Sequence, residues 1–269
     1  MLRTLRACAL ALTVSFAACG GGGGTGSPTS APVVTAPVGV VTSHGSLSTS
    51  LLRSSGRVDY PLRIYLPVGY EASATAYPII YALDSDTWFE TMTVILDELG
   101  IKAILVAIGR GDRRDFDYQL SGSETFYEFI TRELIPFIEP KYRVLRDQRT
   151  LVGHSLGGSF VGLALFMDRL GGKYFTNYVM QEGTFDFNSV GFRMEAQEPL
   201  LFAASNGQLP IGLVVHGATC CHYAAGSLLY EQIQSRHYQG LKAQKKEYPQ
   251  SHGGMFIPSF TDAMRFLFP

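Results

Sequence analysis

Thr150-Leu151-Val152-Gly153-His154-Ser155-Leu156-Gly157-Gly158 is the stretch on which the fold turns. A short apolar strand runs into a glycine-flanked turn, and Ser155 to Leu170 beyond it reads as a helix. A serine at the apex of a strand–turn–helix is the setting of the G-x-S-x-G nucleophile motif. The chemistry needs a turn tight enough to lift the hydroxyl above the sheet edge, and glycines let neighbouring backbone pass without a Cβ clash. The helix points its N-terminus at the reacting centre, so the Leu156 amide is placed to donate to a developing oxyanion. With 29 glycines in the chain the pattern alone is also met by a plain glycine turn. Its position between strand and helix selects the nucleophile reading, Ser155.

Working outward, strands and helices alternate. Arg63–Leu66, Tyr77–Leu83, Ile104–Ile108, Asn177–Met180, Ile211–Val215 and Lys245–Tyr248 read as strands, several of them nearly all apolar, as strands covered on both faces are. Glu124–Ile138, Leu228–His237 and Ser259–Phe268 read as helices, the first with a Ser121/Glu124 capping box at its start. Such alternation predicts a mostly parallel central sheet with helices on both faces. The aromatics Trp88, Phe89, Phe116, Tyr118, Phe185 and Phe187 fall between these elements, on loops at the face of the serine. They suit either an apolar acyl group or ordinary packing.

A serine nucleophile needs a base. Of the six histidines, His252 stands in Ser251-His252-Gly253-Gly254, after the last strand and before the last helix. That is where the order serine, acid, histidine places it; His222 is the runner-up.

At these residues the chain resembles the esterase D and enterochelin-esterase branch of the α/β-hydrolases, which also holds the mycolyltransferases. The resemblance runs from about Arg63 to the C-terminus, through R-I-Y-L-P, Y-P-I-I-Y-A-L-D-S-D, R-G-D-R-R-D-F, E-L-I-P-F-I-E-P-K-Y-R, V-G-H-S-L-G-G and Y-P-Q-S-H-G-G. It implies an α/β-hydrolase fold and a serine esterase working through an acyl-enzyme, with no metal and no organic cofactor. It also implies that the loop Leu83-Asp84-Ser85-Asp86 supplies the second oxyanion amide, at Asp86. The family's acid follows a glycine on the seventh-strand loop, but here that loop reads Gly217-Ala218-Thr219-Cys220, with a thiol in the acid slot. Three alternatives stand: Glu182 as acid, which is favoured; Asp186; or a dyad with no acid at all. Arg110, Arg113, Arg114 and Asp115 form a charged loop at the rim, either holding substrate or tied together as ion pairs.

The N-terminus reads as an export signal. Within a signal peptide over residues 1–18, Arg3 and Arg6 precede an apolar run from Ala9 to Ala18, too short to span a membrane. Phe16-Ala17-Ala18-Cys19 resembles a bacterial lipobox, with Cys19 lipidated and Gly20 pointing to the outer membrane; plain cleavage after Ala18 is the alternative. Residues 19–47, rich in Gly, Ser, Thr and Pro, form a tether. Residues 48–269 form the catalytic domain. Losing Arg3 and Arg6 leaves 20 bases against 23 acids, a net charge near −3 that gives no reason to expect nucleic acid. Membrane contact is expected only through the lipid. Cys220 and Cys221 are adjacent, either reduced or joined, and without a Cys-x-x-Cys no metal site is expected.

The expected activity is hydrolysis of a small-molecule carboxylic ester. The rivals are acyl transfer to an alcohol and a non-catalytic binding lipoprotein, whose support is the empty acid slot.

Overall fold

The computed structural model describes residues 45–269, which lie in one compact unit; the leader, Cys19 and most of the tether fall outside the described residues. Its strands are β1 (Ser46–Arg53), β2 (Asp59–Leu66), β3 (Tyr77–Ala82), β4 (Ile104–Ile108), β5 (Val144–His154), β6 (Asn177–Gln181), β7 (Gly212–Ala218) and β8 (Lys242–Tyr248). The helices are α1 (Ser85–Glu98), α2 (Arg114–Asp117), α3 (Ser123–Glu128), α4 (Ile135–Ile138), α5 (Leu156–Leu170), α6 (Val190–Ser205), α7 (Tyr223–Ser235) and α8 (Phe256–Leu267). The eight strands form one sheet in the order β1-β2-β4-β3-β5-β6-β7-β8, with β3 to β8 parallel and β1 and β2 antiparallel at one edge.

This is an α/β-hydrolase fold. Residues along each central strand alternate between two cores: Ile79, Tyr81, Ile104, Val106 and Ile108 face the side covered by α5, while Ile80, Ala82, Leu105 and Ala107 face α1 and α8. Each central strand is thus buried on both faces, which is why Ile104–Ile108 has no polar residue. The chain leaves β3 toward β4, then returns to the opposite side of β3 as β5. Successive connections therefore diverge at the carboxyl ends of β3 and β5, the crevice where ligands bind in open α/β sheets. Asp84 and Ser155 follow those two strand ends.

Several expectations need correction. The catalytic unit begins before residue 48, because Ser46–Arg53 pairs with β2 across its whole length. No Ser121 capping box forms: the N-cap is Gly122 and no side chain caps the helix. The turn from α2 already occupies the first amides, since those of Gly122 and Ser123 both donate to the Gln119 carbonyl. The single helix expected over 124–138 is α-helical at both ends and π-helical over Phe129–Leu134. Pro136 follows that wide segment, and a proline there has no N–H to donate and crowds the carbonyl four residues back. Trp88 and Phe89 lie in α1, not a loop, and Phe89, Tyr118 and Phe185 are core residues.

The elbow depends on close backbone approach. A Cβ built on Gly153 collides with the Gly157 carbonyl, and one on Gly158 comes within 2.8 Å of the Gln181 carbonyl. A Cβ on Gly253 meets nothing within 4 Å. Gly153→Ala is therefore expected to lower unfolding free energy by about 3 kcal/mol, against less than about 0.5 kcal/mol for Gly253→Ala. Urea denaturation of the two variants side by side checks the contrast.

Candidate active site

Ser155 occupies φ 59°, ψ −126°, a conformation L side chains rarely adopt. Its amide donates to the Gln181 carbonyl of β6 at 2.9 Å, and its own carbonyl accepts from Ser159 in the first turn of α5. The turn is thereby held from the sheet and from the helix together. Leu156 opens α5, so its amide is among the first-turn donors without an intrahelical acceptor. Asp86 is the second residue of α1, where the same holds. The Asp86 carboxylate is turned to the Arg110 amide at 2.8 Å.

Asp84, buried and left-handed at φ 56°, caps the entry to α1. Arg114 grips it through Nε at 2.6 Å and a second guanidinium nitrogen at 2.7 Å. Arg113 pairs with Asp117 at 3.3 Å, and Arg110 pairs with Asp86 at 4.0 Å. The charged loop is thus internally paired and clamps the start of α1.

His252 sits half-buried on the loop between β8 and α8. Glu182, fully buried at the end of β6, brings Oε1 to 3.9 Å from His252 Nδ1. That is ion-pair range, and apo geometries of this kind tighten when substrate binds. The carboxylate also accepts from the amides of Ala218 and, at 2.7 Å, His222. Burial pushes the Glu182 pKa up, but the facing His252 and the hydrogen bonds from those two amides outweigh it and hold the group below the ordinary carboxylate range. Glu182 is therefore an anion in a dry pocket, facing an imidazole.

The other carboxylate alternative, and the cysteine in the family's acid slot, are disposed differently. Asp186 is exposed, and its Oδ1 accepts from His222 Nδ1 at 2.8 Å rather than from His252. Cys220 is joined to Cys221 in a disulfide, so the thiol in the family's acid slot offers His252 nothing.

His154, beside Ser155 in the elbow, is a contributor that the sequence did not single out. Its Nε2 donates to the His252 backbone carbonyl at 2.9 Å, and its ring lies 4.8 Å from that of His252 and 5.7 Å from Phe256. Trp88 stacks on the same Phe256 at 4.1 Å. The loop carrying His252 is anchored to the elbow strand through this stack. The signal in the sequence was only that His154 adjoins Ser155.

Leu156, Thr184, Asp186, Phe187 and His222 line a cleft of about 310 Å³ beside the elbow. A second cleft of about 290 Å³ shares Asp186 and runs past Phe192 and Leu228. Phe187 in the first cleft and Phe192 and Leu228 in the second are exposed and give each an apolar rim. Glu182, His222 and His252 also hold one donor atom each within 4.8 Å of one another, a grouping able to bind a metal ion, where none was expected from cysteine spacing. No helix among the described residues is long and apolar enough to cross a membrane.

A sheet with this switch point and a strained serine on its elbow defines a serine hydrolase of the α/β type. The family model described as "Putative esterase" matches residues 55–171, and the chain is a serine esterase. It is 25% identical over 230 residues to the ferri-bacillibactin esterase BesA of Bacillus subtilis (strain 168), covering 71% of this chain and 78% of that one. It is 26% identical over 227 residues to the apo-salmochelin esterase of Escherichia coli O6:H1, covering 72% and 70%. Among solved structures, an IroE-like serine hydrolase from Shewanella oneidensis superposes with a TM-score of 0.73 at 24% identity, covering 83% of this chain and 80% of that one. The BES protein from Bacillus cereus gives 0.71 at 23%, covering 84% and 95%.

Two buried histidines set a pH dependence of stability. Desolvation lowers the pKa of His154 and of His216 to about 4. Between about pH 6.5 and pH 4 the unfolded chain binds protons that the folded chain excludes, so stability is complete above pH 6.5 and is lost as pH falls toward 4. Each histidine contributes a slope of at most about 1.4 kcal/mol per pH unit. Urea unfolding at steps from pH 7 to 4.5 should show this decline, and His216→Gln should make it shallower.

Proposed function

We propose that Ser155 attacks the ester carbonyl, His252 takes its proton, and Glu182 orients and stabilises the imidazolium. The amides of Leu156 and Asp86 hold the tetrahedral oxyanion. Collapse expels the alcohol, protonated by His252, and leaves an acyl-enzyme. Water, deprotonated by His252, then releases the acid. The observation that carries the reading is the buried, ionised Glu182 aimed at His252 from beside the strained Ser155.

Purified protein is expected to label with a fluorophosphonate and to hydrolyse a short p-nitrophenyl ester. Ser155→Ala should abolish labelling, and Glu182→Gln should lower kcat by about 10³–10⁴ with little change in KM. A Glu182→Gln rate within a few-fold of the unmutated protein would leave a Ser–His dyad.

For substrate we propose an ester of the siderophore type. The two curated relatives are named for bacillibactin and salmochelin, and the apolar rim of Phe187, Phe192 and Leu228 suits a bulky acyl group beside Ser155. Bacillibactin and salmochelin should be cleaved with kcat/KM of at least about 10⁴ M⁻¹s⁻¹. Intact siderophores alongside an active p-nitrophenyl esterase would remove the substrate class and keep the enzyme.

We propose further that the chain is exported and anchored at the outer membrane through a lipid on Cys19. The support is the Arg-apolar-small layout over residues 1–18 ahead of that cysteine. Cys19→Ser should move the protein from the membrane fraction to the soluble periplasmic fraction of a Gram-negative host.

A further inference from the structure

His222 has no part in the acyl transfer just described, yet its imidazole is built into the site. Its Nδ1 donates to Asp186 Oδ1 at 2.8 Å. Because an ionised carboxylate only accepts, the proton of the neutral ring sits on Nδ1 and the Nε2 lone pair is left free. A histidine oriented in this way by a carboxylate is the usual form of a metal ligand. Its ring centroid lies 5.8 Å from that of His252, and the donor atoms of Glu182, His222 and His252 fall within 4.8 Å of one another.

We propose that Glu182, His222 and His252 form a binding site for a borderline divalent transition-metal ion, Zn²⁺ foremost, and that occupancy switches the esterase off. Two imidazoles and one carboxylate are a recurrent zinc donor set, with the fourth position left to water. The cleft lined by His222 gives the ion a path in. Donors around a tetrahedral zinc at about 2.0–2.1 Å lie roughly 3.3 Å apart, so the three must draw together. Glu182 is fixed by its two amide donors, but the His222 and His252 side chains are 27% and 39% exposed and are free to turn toward it.

The switching part rests on the reading of His252 as the base; the binding part does not. A metal on His252 Nε2 occupies the lone pair that accepts the serine proton. A metal on Nδ1 shifts the ring's single proton to Nε2, which then has no lone pair for the serine proton, and replaces the contact with Glu182. Either mode leaves Ser155 without a base.

The test combines calorimetric titration of chelator-treated protein with ZnCl₂ in a non-coordinating buffer and the p-nitrophenyl ester rate on the same samples. One Zn²⁺ per chain is expected to bind in the micromolar range or tighter. The rate should fall at least about tenfold at saturation, with recovery on adding EDTA. His222→Ala keeps the backbone amide that serves Glu182, and Asp186→Asn changes an exposed residue, so both test the site with the fold retained. Each should weaken zinc binding by about tenfold or more and raise the half-inhibiting zinc concentration to match, relative to its own metal-free rate. Absence of binding below millimolar zinc, or binding and inhibition unmoved by His222→Ala, would overturn the proposal. A His222-dependent binding isotherm on protein that is inactive without zinc would uphold the site and sink the catalytic reading instead.

Discussion

Everything at the carboxyl end of the sheet depends on one steric constraint: α5 starts directly off β5, with a single residue to turn the chain. Only φ near +59° achieves that turn, and a side chain on Gly153 or Gly158 would strike the backbone of Gly157 or Gln181. Strain at Ser155 is over-determined by its neighbours: its amide is tied to β6, its carbonyl to the first turn of α5, and both cores press on the strand and helix that meet there. A hydroxyl held in this way needs no reorganisation to stand above the sheet edge. Precision at the site follows from packing two residues away from it.

The second constraint is electrostatic. A carboxylate with no exposed surface is costly unless it is fully hydrogen-bonded. Glu182 meets that demand with the amides of Ala218 and His222, which flank the Cys220–Cys221 disulfide. Satisfying the acid therefore shapes the β7–α7 loop, and the loop in turn sets where His222 stands. On the other side, Gln181, the residue before Glu182, donates to Ser259 and to the Phe256 carbonyl of α8. Helix α8 carries Phe256 against His154 and Trp88, and that stack borders the His252 loop. Glu182 and the loop carrying His252 are thus positioned from two adjacent residues at the carboxyl end of one short strand.

How much of this the sequence disclosed follows from what burial does to composition. Ile104–Ile108 and Tyr77–Ala82 were readable because strands covered on both faces admit almost no polar residue. The exposed edge strand Ser46–Arg53 has no such pressure: its first two residues were read as tether and the rest was assigned no element. Helix α6 buries only a narrow stripe, Val190, Met194 and Leu201 with Glu198, leaves Phe192 and Leu200 in solvent, and carries Pro199 inside, so no helical period survives. The serine and histidine were legible because local glycines mark them. The partners of His252 were less so: Glu182 was favoured among open alternatives, while His154 and the Asp186–His222 pair meet the site only through the register of neighbouring strands, which one sequence does not display.

The position of the acid illustrates this. The resemblance implies an acid after the strand here called β7, whereas this chain has a cysteine there and the proposed acid, Glu182, at the end of β6. Parallel strands lie about 4.8 Å apart, and β6 pairs in register with β7, Gln181 opposite His216. A carboxylate moved one strand inward thus starts closer to the serine, and the longer Glu side chain lets it turn back toward the histidine while taking the Ala218 amide of β7 as a donor. The bond that would orient an acid on β7 is thereby reversed: β7 supplies the donor and β6 the charge. Freed of that duty, the β7–α7 loop can hold a disulfide and present His222 to the cleft, a residue type the usual arrangement does not require at that point.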